Sequence, residues 1–99
     1  MPDAEIQVYQ AEWCPYSSRV REKLTELGLP WVALPVAAHR EQRDEMRDAV
    51  GSVEIPVVVL GDGTVLDGDA DEIIRELEQR FPDGPFGAAH REQADAHRR

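Results

Sequence analysis

The segment IQVYQAEWCPYSSRVREKLTELG (residues 6–28) changes its hydrophobic period part-way along, and that change sets the fold. Ile6-Gln7-Val8-Tyr9 alternates apolar and polar residues, the period of a strand. Val20, Leu24 and Leu27 then recur at i, i+4 and i+7 with Arg19, Glu22, Lys23 and Glu26 between them, the period of an amphipathic helix. Gly28 followed by Pro30 stops it. The handover falls at Cys14-Pro15. Proline suits the first helical position because it has no N–H to leave unpaired and its φ is preset, so Cys14 is predicted at or beside the N-cap.

Downstream, Trp31 to Val36 is an apolar run with β-branched members, bounded by prolines, and predicts a second strand. Arg40 to Val50 returns to helical spacing, with Met46 and Val50 inward, and closes at Gly51. Ile55 to Leu60 is the most hydrophobic stretch and suits a central strand covered on both faces. Gly61-Asp62-Gly63 is a hairpin turn signal, and Thr64-Val65-Leu66 returns as its partner. Asp69 or a neighbour caps a last helix carrying Ile73, Ile74, Leu77 and Phe81 as its apolar stripe, ending at Pro82. The order β-α-β-α-β-β-α combines a parallel βαβ unit with an antiparallel hairpin. This predicts an α/β domain over residues 1–82, with a four-stranded mixed sheet and helices on both faces. Residues 83–99 are rich in Gly, Ala, His and Arg with few anchors besides Phe86, and are expected to form a flexible or weakly docked tail.

With 99 residues and 41% hydrophobic content the chain supports one core and no second one. The net charge of −9 resides on residues 1–82, because Asp83, Glu92 and Asp95 balance Arg91, Arg98 and Arg99 in the rest. Nucleic acid is excluded as an expected partner, since basic residues are interleaved with acids rather than clustered. No apolar run is long enough to span a bilayer, and residues 1–5 lack the pattern of an export signal, so a soluble, cytoplasmic protein without membrane contact is expected. His39, His90 and His97 are far apart and fit solvent-exposed roles better than a metal site.

A single cysteine rules out an internal disulfide framework and leaves either an inert thiol or a working one. Its neighbours favour work. A thiolate at a helix start feels the positive end of the dipole and the unpaired N–H groups of the first turn, and both lower its pKa. Arg19 either adds positive charge there or pairs with Glu22 or Glu12. Trp13 and Tyr16 flank the thiol with aromatic surface. Ser17 occupies the position at which a C-x-x-C motif has its second cysteine. It can hydrogen-bond a thiolate but cannot attack a disulfide, so any exchange must be resolved by an external thiol. Pro56 removes a ladder donor where a central strand opens, which calls for a special turn. From sequence alone a trans peptide after Ile55 is expected, since only about 5–6% of X–Pro bonds in folded proteins are cis.

The run Trp13-Cys14-Pro15-Tyr16-Ser17, followed by Arg19, resembles the glutaredoxin motif C-P-Y-C with serine at its last position. Ile55-Pro56-Val57 resembles the family's T-V-P segment, with Glu54 where Thr is usual before Val. Asp67-Gly68-Asp69 with Asp71 resembles its G-G-C-D turn. The similarity covers residues 5 to about 81 in the same element order. It implies the thioredoxin-like fold, a cis peptide before Pro56, and a glutathione site with Cys14 as nucleophile. In that site the backbone of Ile55 beside Pro56 would pair with the cysteinyl part as an added strand. The helix start at Asp69 and Ala70 would receive the γ-glutamyl carboxylate. Arg43 would meet the glycyl carboxylate and Tyr16 would line the groove.

The resemblance therefore implies a monothiol, glutathione-dependent thiol-disulfide oxidoreductase acting on glutathionylated proteins. The expected protein is monomeric, with no tightly bound cofactor and with glutathione or another low-molecular-weight thiol as co-substrate. Two alternatives remain. One is a non-catalytic module holding glutathione or, between two chains, an iron–sulfur cluster. The other is a stand-alone domain like the N-terminal domain of glutathione S-transferases, which Ser18-Arg19-Val20-Arg21 and Asp67-Gly68-Asp69-Ala70 also resemble.

Overall fold

A computed structural model of the chain describes residues 5–82 and 87–97. Strand β1 (Ile6–Gln10) leads into helix α1 (Pro15–Glu26), and β2 (Trp31–Pro35) returns parallel to β1, with Ile6 opposite Trp31. A 3-10 turn (Arg40–Gln42) and helix α2 (Asp44–Val50) follow. Strand β3 (Val57–Val59) runs antiparallel to β1, and β4 (Val65–Leu66) antiparallel to β3. Helix α3 (Ala70–Arg80) closes this part, and the sheet order is β2-β1-β3-β4. This is the expected thioredoxin-like arrangement.

The pleat decides which residues meet which helix. Ile6 and Val8 of β1 and Val58 of β3 point to one face and pack with Val20 and Leu24 of α1 and Ile73 and Leu77 of α3, all buried. Tyr9 and its partner Val57 point to the other face, where Tyr9 borders a cavity shared with Met46 of α2. Helices thus cover both faces. Lys23 of α1 bridges Glu26 on its own helix and Glu78 of α3, at 3.0 and 2.9 Å, and ties the two helices along their outer edge.

Three differences from the sequence expectation have physical causes. The predicted helix over 40–50 is interrupted at Arg43, whose backbone (φ −98°, ψ 46°) leaves the helical region while its side chain turns inward. The central strand is shorter than Ile55–Leu60, because the turn around Pro56 delays pairing until Val57. Where no element is expected after α3, residues Gly87–Ala96 form a fourth helix, α4, against α1. Gly87 eases that approach: a Cβ there would lie 3.2 Å from the Glu26 carbonyl oxygen, tighter than ordinary contact. Arg91, one turn on, reaches the Glu26 carboxylate at 3.6 Å.

Candidate functional site

The loop between β1 and α1 builds the environment of Cys14. The Cys14 N–H donates to the Ala11 carbonyl at 3.2 Å, closing a turn, and the Ser18 N–H bonds the Cys14 carbonyl at 3.0 Å, starting the helix. Cys14 is the N-cap with extended backbone (φ −84°, ψ 119°) and Pro15 follows as the first helical residue. Its Sγ accepts the Ser17 N–H at 3.4 Å, the bond an N-cap side chain makes to the first turn. Ser17 is fully buried, and its hydroxyl oxygen accepts from the Ala11 N–H at 3.5 Å, so its own hydrogen is available to the sulfur.

These groups compete over the charge state of Cys14. Burial pushes the thiol up, the largest single effect. The Ser17 hydroxyl, the N–H groups of Ser17 and Tyr16, and the charge of Arg21 together outweigh it and hold the thiol below its ordinary value. The cation is Arg21, not Arg19. Arg19 pairs with Asp71 at the start of α3. Arg21 is folded back across the loop, bonding the Gln10 side chain and the Ala11 carbonyl and meeting Glu12 at 3.5 Å. Sequence spacing favoured Arg19 because it is nearer in the chain. The missed signal was the pair of acceptors, Gln10 and Glu12, at the strand end where α1 turns Arg21 back.

Trp13 and Tyr16 are 67% and 59% exposed on either side of the thiol. Tyr16 forms one wall of a groove of about 480 Å³, whose opposite side is Glu54, Ile55 and Pro56. Its end is the turn Asp67-Gly68 and the start of α3 at Asp69 and Ala70. The Ile55–Pro56 peptide is cis, as the resemblance implied. Five expected ligand residues, Tyr16, Ile55, Pro56, Asp69 and Ala70, therefore meet in one groove, two residues along the chain from Cys14.

The α3 end of the groove carries its own anions. Asp69 accepts the Glu72 N–H and Glu72 accepts the Asp69 N–H, each at 2.9 Å, a reciprocal capping box. A ligand carboxylate would find the N–H groups of Ala70 and Asp71 rather than that of Asp69.

Arg43 is elsewhere. It is 5% exposed, and its guanidinium donates to the carbonyls of Ala37, Val53 and Ala38 at 2.7, 2.8 and 3.0 Å. It borders the separate cavity beside Tyr9 and Met46, so the expectation that Arg43 meets a ligand carboxylate does not hold in this structure. Its donors stitch the segments before and after α2 together, a role that no local sequence pattern marks. Among the described residues no cluster of three or more His, Cys, Asp or Glu side chains is placed to hold a metal ion. No helix among them is long and apolar enough to cross a membrane.

The family described as "Glutathione S-transferase, N-terminal domain" matches residues 8–86. The chain belongs to that family. Among curated proteins, glutaredoxin 3 of Escherichia coli K12 is 28% identical over 57 residues, covering 58% of this chain and 69% of the relative. The gene 56 protein of Mycobacterium phage L5 is 34% identical over 56 residues, covering 57% and 54%. Among solved structures, a Methylobacterium radiotolerans glutathione S-transferase in complex with glutathione sulfonate superposes with a TM-score of 0.69 at 25% identity, over 82% of this chain and 37% of its own. A Sulfitobacter glutathione transferase homolog with bound glutathione gives 0.69 at 19% identity, over 82% and 39%. This glutathione S-transferase N-terminal domain thus spans about two fifths of those transferase chains.

Proposed function

We propose that the domain catalyses thiol–disulfide exchange by a monothiol mechanism at Cys14, with glutathione as the first candidate thiol. The observation that carries this is the ring of donors on a buried sulfur: the Ser17 N–H and hydroxyl, the Tyr16 N–H and the nearby Arg21 favour a thiolate. The Cys14 thiolate attacks the glutathionyl sulfur of a protein mixed disulfide. The protein sulfur leaves as thiolate and takes up a proton, and Cys14 is left bonded to glutathione. A second glutathione thiolate attacks the glutathionyl sulfur, releasing Cys14 as thiolate and oxidised glutathione. A depressed pKa assists both steps, giving more attacking thiolate in the first and a better leaving group in the second. Ser17 cannot replace the second glutathione.

The similarity to glutaredoxin 3 and the glutathione-containing transferase structures support glutathione as the thiol, and glutathionylated proteins as partners. A free working thiol suits a reducing compartment such as the cytoplasm. The proposed enzyme works as a monomer with no tightly bound cofactor. The test is reduction of a glutathionylated peptide with glutathione, glutathione reductase and NADPH, beside Cys14→Ser. Turnover lost in the variant supports the proposal, and turnover equal in both overturns it.

The family match favours one second reading, a domain that presents glutathione to an electrophile as transferases do. Consumption of glutathione with a dinitrohalobenzene and no disulfide present would select it over exchange.

A further inference from the structure

Two side chains compete for Arg21, the cation that favours the Cys14 thiolate. The outer one is Glu12, whose carboxylate is 79% exposed and lies 3.5 Å from the guanidinium. Alone, that pair would draw Arg21 toward solvent and cancel its charge. The inner one is Gln10, 5% exposed at the end of β1, whose Oε1 accepts from Arg21 Nη1. The same Nη1 donates to the Ala11 carbonyl at 3.4 Å, and that carbonyl also accepts the Cys14 N–H at 3.2 Å. The guanidinium is thereby fastened to the turn that carries the thiol. Gln10 holds both competitors at once, since its Nε2 donates to Glu12 Oε2 at 3.3 Å while its Oε1 faces the arginine. A neutral amide suits this place: glutamate would lack the donor for Glu12 and would cancel the charge of Arg21, and methionine would lack both bonds.

We infer that Gln10 is a positioning residue for Cys14, holding the Arg21 guanidinium against the Ala11–Cys14 turn and away from solvent. The inference rests on the exchange function proposed above and adds to it a buried residue that acts through Arg21. Attraction between guanidinium and sulfur weakens with distance and with access of water, so the inner position of Arg21 favours the thiolate more than the outer one does. The other charged or titratable groups at the start of α1 are the Tyr16 phenol and Arg19, which pairs with Asp71 and is close to Asp69 at the start of α3. Those groups are the same in every variant compared below.

The test is the pH profile of Cys14 alkylation by iodoacetamide on the full chain. Wild type is compared with Gln10→Met, Arg21→Gln and the double variant, each checked for folding by circular dichroism. Methionine keeps the length of Gln10 and removes both of its bonds. In Gln10→Met the inflection should move upward and the rate at pH 7 should fall about twofold. In the Arg21→Gln background the same substitution should change nothing, a coupling that a merely structural role for Gln10 would not produce. Arg21→Lys provides a variant that leaves β1 intact. Lysine keeps the charge, but its single ammonium cannot fork across Gln10 and Glu12, so the profile should move upward by less than in Arg21→Gln. A wild-type profile in folded Gln10→Met, or an equal shift with and without Arg21, overturns the inference. Should Gln10→Met not fold, a wild-type profile in Arg21→Lys overturns it instead. Either result beside a wild-type inflection below about 8.5 leaves the exchange function standing, whereas a wild-type inflection at or above that value sinks both.

Discussion

Cys14 and Arg43 are equally hidden, each 5% exposed, and each was a candidate for chemistry on its residue type. Their surroundings separate them. Every nitrogen of the Arg43 guanidinium donates to a backbone carbonyl of the loops flanking α2, so its bonding capacity closes on the protein itself. Around Cys14 the bonds run the other way, from donors to a sulfur that needs no partner as a neutral thiol, and they favour the charged, reactive form. Burial and residue type do not tell a strut from a nucleophile. The direction of the hydrogen bonds does.

The largest expected effect is on the strut. Arg43→Met removes three hydrogen bonds from a buried guanidinium to part-buried carbonyls, which should cost about 3 kcal/mol in urea unfolding at about 1 kcal/mol per bond. The alkylation rate of Cys14 in the protein that remains folded should be unchanged. A normal stability with lost exchange activity would break the contrast.

Next comes Ser17→Ala, which removes the hydroxyl from the sulfur. The pH at which Cys14 begins to react should rise, and its alkylation at pH 7 should slow severalfold, with a stability loss of about 1 kcal/mol for the lost buried hydrogen bonds. The two arginines of α1 sharpen the comparison further. Arg21→Gln should move the Cys14 titration upward by less than Ser17→Ala does, and Arg19→Gln should leave it unmoved, because Arg19 acts on Asp71.

The smallest effect is on the pH dependence of folding. The thiol titrates lower in the folded state than in the unfolded chain, so between the two values the unfolded chain binds more protons and stability rises with pH. Wild type should therefore gain stability over Cys14→Ser as pH climbs toward the free-thiol value of about 8.5. The gain should vanish as pH falls through the folded value. A flat difference in chemical denaturation across that range would contradict the lowered titration.

Much of this was legible in the chain. The switch of hydrophobic period inside residues 6–28 gives β1 and α1, Pro15 puts Cys14 at the N-cap, and Asp69 signals the start of α3. The groove residues near Pro56 and Asp69 came from resemblance rather than from spacing, since only the fold brings segments so far apart in sequence together. Arg43 was misread because an inward arginine inside a polar helical stretch has the same local pattern as an outward one. Its acceptors at Ala37, Ala38 and Val53 become visible only when the loops are folded. Arg21 stayed out of the sequence reading for a similar reason, the partner across the fold being Asp71 for Arg19 and the end of β1 for Arg21. Helix α4 has little apolar stripe, and the close approach of Gly87 to the end of α1 is something no periodicity reveals.

The central claim is that the fold holds Cys14 as an activated thiolate. The most direct measurement is the rate of Cys14 alkylation by iodoacetamide, a neutral reagent, as a function of pH on the intact protein. An inflection well below about 8.5 is the predicted result, and an inflection at or above that value would contradict it.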